Sequence, residues 1–581
     1  MIVRPMVRAE GLEPPRLSPL EPKSSASTSS ATPAGPIALR ASKRSAAIVK
    51  PQRYTHFGRR LQQKNDGSAK KRHQPLFRSR LARPLASAGA PDYAMGMTRP
   101  LPDRPTASTR RQMLAGLGSA SLIAPGLVAP LPATAQSPKP ADGEKPAQEP
   151  AIRTLGAGPA KVRLRPAPAA ESEIWAFDGA TPGPALRIRQ GETLRLRLEN
   201  KTTAPLSLHW QGLRGEASQD GVGGFSQPPI APGESFEYRL SPPDSGTILY
   251  RPLLVGGSSE PAGRGLTGLL IVEEHEPPAV ALDLPVLVTD WLIGDDQAIQ
   301  PFDLHSTSSA AAGRLGSWLT VNGKPPPQPV KLPPGSRVRL RLANGCNARI
   351  MRLRFDGTKA AVVAVDGQPT ETFEPVHAQL PFAPGTRYDV MLDLPIEAGA
   401  SVNVTALIGP GLPLVRIVTE GAAKVPPAAQ PALKLNPALP AAVRMQDALR
   451  PEMVIEGGAR LTPDRTLDFT GLDLARPWLV NGGVGARDAK PLFSVKRGTP
   501  IVMAIDNRTA FIQPLHVHGH AFRLLHPLDD GWENYFLDTV QIPEGKKRHI
   551  AFIAENPGRW LISSTVLERF DLGLWGWFEV T

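Results

Sequence analysis

The stretch Phe511-Ile512-Gln513-Pro514-Leu515-His516-Val517-His518-Gly519-His520 decides how this chain is read. Its alternating pattern predicts a short β-strand, and along a strand alternate side chains share one face. His516 and His518 therefore turn toward the same metal-sized space, and imidazole is the commonest metal-binding side chain. A bare His-x-His in a strand more often hydrogen-bonds a neighbour, so the pair needs support from elsewhere. An echo in the first third of the chain, Leu208-His209-Trp210-Gln211-Gly212, provides it.

Three further segments accompany the histidines: Asp220-Gly221-Val222, Asp538-Thr539-Val540 and Glu555-Asn556-Pro557-Gly558-Arg559-Trp560. In order and spacing they resemble the multicopper oxidase family over residues 153–581. The resemblance implies an all-β chain of three cupredoxin-like Greek-key β-sandwich domains. It also implies a type 1 copper in the last domain and a trinuclear copper cluster between the first and last. Family members carry His-x-His in the first segment, Tyr-His-Pro-His in the second and His-Pro-x-His-x-His-Gly-His in the third. They end on His-Cys-His with a further His and Met.

This chain departs from that pattern. Gln211 stands at the second position of the first segment, and the second segment is Tyr250-Arg251-Pro252-Leu253. Gln513 replaces the first histidine of the third segment, and Ser563-Ser564-Thr565, Arg569 and Leu574 fill the last five positions. Of the ligand positions the resemblance assigns, only His209, His516 and His518 keep an imidazole.

A type 1 site needs a thiolate beside two imidazoles. The one cysteine, Cys346, lies in the middle of the chain at Asn344-Gly345-Cys346-Asn347, so no type 1 copper is expected. Arginine stays protonated in proteins and would set a positive charge against a second cation, so Gln211, Arg251, Leu253, Ser563 and Thr565 make a poor cage for a copper pair. What remains is narrower. The resemblance makes His209 and His516 the two ligands of the type 2 copper and matches Asp220 to a carboxylate near its water. A residual metal site at His209, His516 and His518, with Asp220 behind it, leaves room for at most one copper or zinc ion. The alternative is that these histidines are relics, packed and hydrogen-bonded between domains. His520 lies outside the family's ligand set and is expected to be structural.

Outward from these motifs the chain reads as short strands separated by turn signals, which is sandwich material. Strands are predicted at Lys161 to Leu164, Leu186 to Arg189, Leu194 to Leu198 and Ser235 to Leu240. In Leu194-Arg195-Leu196-Arg197-Leu198 apolar and basic residues alternate, the mark of a half-buried strand with a wet face. Val338 to Asn344 alternates in the same way, and Tyr388 to Leu392 follows a Pro-Gly turn. The expected domains are 153–278, 279–420 and 451–581, with an Ala/Pro-rich connector over 421–450. The aromatic tail Leu572 to Phe578 is expected to fill core, an exposed patch there being the sign of a partner surface. Lys546-Lys547-Arg548-His549 reads as a solvated turn.

The formal charge of +14 over 581 residues misleads, because residues 1–135 hold 22 basic and 6 acidic side chains. That leaves 45 of the 67 basic and 47 of the 53 acidic residues for the rest, a nearly neutral balance that argues against a nucleic-acid partner. Residues 1–94 lack an apolar period and read as a disordered basic leader, or as sequence upstream of the true start at Met95 or Met97. Residues 95–135 hold Ser108-Thr109-Arg110-Arg111-Gln112-Met113-Leu114, a short apolar run to Val128 and a small-residue site at Ala133-Thr134-Ala135. This pattern is similar to a twin-arginine signal, which exports folded proteins to the periplasm. Residues 136–152 read as a linker. No stretch reaches transmembrane length, and a single cysteine suits an oxidising compartment.

The expected function is thus an exported, copper-poor scaffold or binding protein that meets a periplasmic protein partner. In type it is similar to the copper-free member of the family that supports bacterial cell division. The alternative is a copper-binding oxidoreductase or metal-handling protein with one ion at His209 and His516. Laccase-type oxidase activity conflicts with the missing thiolate.

Overall fold

The computed structural model describes residues 149–581 apart from 426, 427, 429–431, 441 and 527–530. The basic leader, the twin-arginine-like segment and most of the linker after it lie outside the described residues.

The alternating stretch Leu194-Arg195-Leu196-Arg197-Leu198 shows how each sandwich begins. It sits in strand Leu194–Asn200, whose leucines are buried while Arg195 and Arg197 reach Glu237 on the neighbouring strand Ser235–Leu240. On its other side it pairs in parallel with the chain's first strand, Ile152–Val162. The same parallel pairing recurs between Leu282–Trp291 and Arg337–Asn344, and again between Glu452–Gly457 and Thr499–Asn507. A second parallel pair closes the opposite sheet each time: Leu186–Arg189 with Gly268–Glu273, Gln328–Leu332 with Leu412–Thr419, and Ser494–Val495 with Trp575–Val580. Three two-sheet sandwiches result, one topology used three times. Among the described residues no helix is long and apolar enough to cross a membrane.

A local device repeats with the fold. Asn200 and Asn507 each end a strand, and each Nδ2 donates to backbone carbonyls across the following turn, Ala204 and Ile230 in one case, Phe511 and Ile542 in the other. Thr202 and Thr509 donate back to the two Asn Oδ1 atoms at 2.8 and 2.7 Å. Each turn launches the strand that carries a histidine, His209 or His516, nine residues after its asparagine.

The alternation in Arg337–Asn344 has a different outcome from the one expected, since every residue of that strand is buried. Arg339 and Arg341 face the first sandwich instead of water, while Arg337 pairs with Asp393 on the adjacent strand. Arg339 is shared between Asp389 and Glu274, and Arg341 between Asp283, Asp389 and the Thr247 hydroxyl of the first sandwich. Periodicity alone cannot distinguish a wet face from one covered by another domain, because both demand polar side chains. Lys547, Arg548 and His549 likewise belong to a strand, Lys547–Ala554, that follows the tight turn at Gly545. Strand Ile152–Val162 runs ahead of the predicted Lys161 to Leu164 and ends at Val162.

Packing joins the first and third sandwiches through one apolar cluster, in which Val222, Phe225 and Leu253 meet Leu561, Phe570, Trp575 and Trp577. The aromatic tail is therefore interdomain core. The 421–450 connector also packs inward at Leu433, Asn436 and Val443, and the Asn436 amide holds Ser245 and Gln368 from two sandwiches.

Candidate metal centre

His209 lies on strand His209–Gln211 of the first sandwich, His516 on strand Gln513–Val517 of the third, and His518 just beyond that strand's end. The two strands meet where the sandwiches join, and the three imidazoles share one buried space. Their centroids lie 4.4 Å apart for His209 and His518, 4.6 Å for His516 and His518, and 5.6 Å for His209 and His516. One ring nitrogen from each falls within 4.8 Å of the others.

Each ring is oriented from behind. The Asp220 carbonyl accepts from His209 Nδ1 at 2.7 Å, and the Asp538 carbonyl from His516 Nδ1 at 3.0 Å. A carbonyl only accepts, so both rings carry their proton on Nδ1 and turn a lone pair inward on Nε2. His209 Nε2 is buried and has no hydrogen-bond partner. His518 differs, because its Nδ1 donates to the Asp220 carboxylate at 2.9 Å and its Nε2 accepts from the Ser563 hydroxyl at 3.0 Å. Asp220 thus braces two of the three rings. It reaches them through the turn at Gly221, whose φ of +79° and 1.8 Å approach of a would-be Cβ to the Leu208 carbonyl leave room only for glycine.

Burial holds the His516 and His518 imidazoles below their ordinary range, His518 down to about 3, so both are neutral and able to bind a cation. Although burial opposes it, the surrounding imidazoles keep Asp220 well below the usual carboxylate range. His520 points elsewhere. Its Nδ1 donates to the His518 carbonyl and its ring packs on Trp560 and Phe578, a structural role.

The remaining positions that the resemblance assigns to ligands are occupied by other chemistry. Arg251 is fully buried and donates to Gln211 Oε1 and the Thr565 carbonyl at 3.3 Å and to the Cys346 carbonyl at 3.5 Å. Burial pulls its guanidinium down to about 10. Leu253 belongs to the apolar cluster between sandwiches. Arg569, also fully buried and pulled down to about 9, donates to Gln513 Oε1 at 2.8 Å and to the carbonyls of Ile512 and Ala311, against the rings of Trp478 and Phe511. Cys346 is buried in the second sandwich, its thiol pushed well up by burial.

Two residues named in the sequence motifs, Asp538 and Ser563, support the rings in ways the motifs do not show. Asp538 orients His516 and receives Arg387, whose guanidinium also holds the Thr247 carbonyl and the Asp366 carbonyl, so one side chain ties all three sandwiches to the site. Ser563 engages His518. The available signal was the motif Asp538-Thr539-Val540 that accompanies the histidines; its register against His516 appears only in the structure.

Three sandwiches with a buried histidine cluster where the first meets the third define a cupredoxin-type protein of laccase-like architecture. The multicopper oxidase family matches this chain over residues 160–277, 283–400 and 461–581, and the chain belongs to that family. It is 26% identical to multicopper oxidase MmcO of Mycobacterium tuberculosis over 413 residues, covering 66% of this chain and 79% of that protein. The crystal structure of a multi-copper oxidase from Pseudomonas thermotolerans superposes with a TM-score of 0.65 at 29% identity, over 74% of this chain and 99% of that one. A Pseudomonas parafulva multi-copper oxidase gives 0.63 at 29% identity, over 74% and 100%.

Proposed function

We propose that this member of the multicopper oxidase family holds a single copper ion at His209, His516 and His518 and does not carry out the four-electron reduction of dioxygen. The observation that supports it is the buried, partnerless Nε2 of His209, which faces two further imidazoles. A buried lone pair without a donor costs free energy unless something fills the space, and neutral imidazoles fixed through Nδ1 suit a first-row transition metal. Copper bound there would supply a one-electron couple. The chain's own part is to orient the rings through the Asp220 and Asp538 carbonyls and to exclude water between two sandwiches. The other ligand positions do not fit copper. Arg251 brings a fixed positive charge and carbonyl-directed hydrogen bonds to the region of a second and third ion, and Arg569 does the same where a type 1 centre would lie.

A second reading is favoured by the contact from Ser563 to His518 Nε2 and by the side chains packed into the other ligand positions. In this reading those hydrogen bonds and packed side chains hold the ligand positions in place of metal, and the chain serves as a scaffold for a periplasmic protein partner after export by the twin-arginine route.

Metal analysis of the exported protein after copper loading and dialysis separates the two. One copper per chain, lost in both His209→Ala and His516→Ala and without an intense blue thiolate-to-copper band, is the expected result. No retained metal would leave the scaffold reading. Several coppers per chain with a blue colour and oxygen consumption would overturn both.

A further inference from the structure

Away from the histidine cluster, a pocket of about 300 Å³ lies within the third sandwich, where the loop 480–492 arches over the strand Trp575–Val580. Three hydrogen bonds pin the loop there. Gly485 N donates to the Gly573 carbonyl at 2.8 Å, Leu492 N to the Trp577 carbonyl at 2.7 Å, and the Trp577 indole to the Ala489 carbonyl at 2.9 Å. Between the pins the walls carry little side chain. A Cβ on Gly485 would come 2.5 Å from the Trp575 ring, and one on Gly576 would come 2.8 Å from the Leu492 side chain, so bare backbone lies against both. Val484, Leu492 and Trp577 complete an apolar slot. Asn481 also lines it, but its amide is spent on Val454 N and the Glu452 carbonyl. The two polar side chains left over are donors. Trp575 is 1% exposed and its Nε1 has no hydrogen-bond partner. Lys490 is the one charged residue of the lining; it is exposed and, among the described residues, makes no ion pair.

A buried indole N–H without an acceptor costs the fold free energy. With an unpaired ammonium in the same lining and no carboxylate to answer it, the pocket favours a ligand that accepts hydrogen bonds and carries negative charge. Small-molecule sites combine apolar walls with a few polar groups in volumes from about 300 Å³ upward. Glycine at 483, 485 and 576 keeps the slot free of branched side chains, which suits a flat ring. We propose that this pocket binds a small planar carboxylate of the benzoate type, its ring against Val484, Leu492 and Trp577 and its carboxylate accepting from Lys490 Nζ and Trp575 Nε1. No bond is made or broken, and the proposal is independent of whether the histidine cluster holds copper.

Calorimetric titration of the purified protein with benzoate, benzyl alcohol and benzylamine tests it, three probes with the same ring and different head groups. Benzoate should bind at least tenfold more tightly than either of the others. Lys490→Gln, at an exposed position that leaves the core intact, should bring benzoate down to the level of benzyl alcohol while leaving the melting temperature within a few degrees. Trp575→Phe keeps an aromatic ring and removes the N–H, and should weaken benzoate several-fold; because that position is buried, the exposed Lys490→Gln guards against a folding defect in it. No binding of benzoate at millimolar concentration, equal binding of acid and alcohol, a preference for the amine, or benzoate binding that either substitution leaves unchanged would each overturn the proposal.

Discussion

At the scale of single residues the site is governed by what stands behind each imidazole. Ser563 competes for His518 Nε2, so Ser563→Ala should release that lone pair and raise copper affinity several-fold, measured by competition with a chelator of known affinity. A fall in affinity would show that the hydroxyl helps the site. Asp366 offers a second test. Burial, with the negative Asp538 beside it, pushes its carboxyl up to about 7. A raised carboxyl means that the folded chain keeps a proton which the unfolded chain releases between about pH 4 and 7. This contribution stabilises the fold at the acid end of that window and is lost as the pH rises through it. Asp366→Asn mimics the protonated form at every pH. Its stability relative to the unmodified protein should therefore improve from pH 5 to pH 8, by up to about 1.4 kcal/mol for each unit by which the carboxyl is raised. Thermal melts at the two pH values give the sign, and the reverse trend would mean that Arg387 keeps Asp366 ionised.

At the scale of elements, strand Arg337–Asn344 carries the largest departure from its sequence pattern. With Arg339 removed, Asp389 and Glu274 lose a fully buried cation, and breaking such a pair typically costs about 3–5 kcal/mol. Arg339→Leu should lower the denaturant midpoint accordingly, and Arg339→Leu with Asp389→Asn should recover part of the loss. The segment around helix Leu567–Asp571 behaves alike. Arg569→Met leaves Gln513 Oε1 and the Ile512 and Ala311 carbonyls without their donor, each buried unpaired group costing about 1–3 kcal/mol. A variant as stable as the parent would show that water replaces the guanidinium. The basic periodicity of the first of these elements was legible in the sequence. Its burial was not, because the partners Asp389, Glu274 and Thr247 are distant in the chain.

At the scale of the whole molecule, the site exists only because the sandwiches are clamped together. Gly246 of the first approaches Gly367 of the second so closely that a Cβ would lie 2.0 Å from the Gly367 carbonyl, at a φ of +145°. Gly246→Ala should push these two apart at a cost of about 2–4 kcal/mol. Calorimetry should then show the first sandwich melting at a lower temperature, relative to the other two, than it does in the unmodified protein. Because His209 belongs to that first sandwich, copper retention should fall in parallel even though no ligand is changed.

The sequence by itself determined the fold family and the three histidines that come together. Strand alternation, turn residues and the spacing of short motifs are local properties, and local properties survive without coordinates. Tertiary structure decided what surrounds them: the carbonyls of Asp220 and Asp538 that set the tautomers, Ser563 on His518, Arg387 across three domains, and Glu568 buried with one oxygen unpaired. These depend on which distant groups share a buried space, and burial sets both the cost of an unpaired polar atom and the protonation of a titratable one.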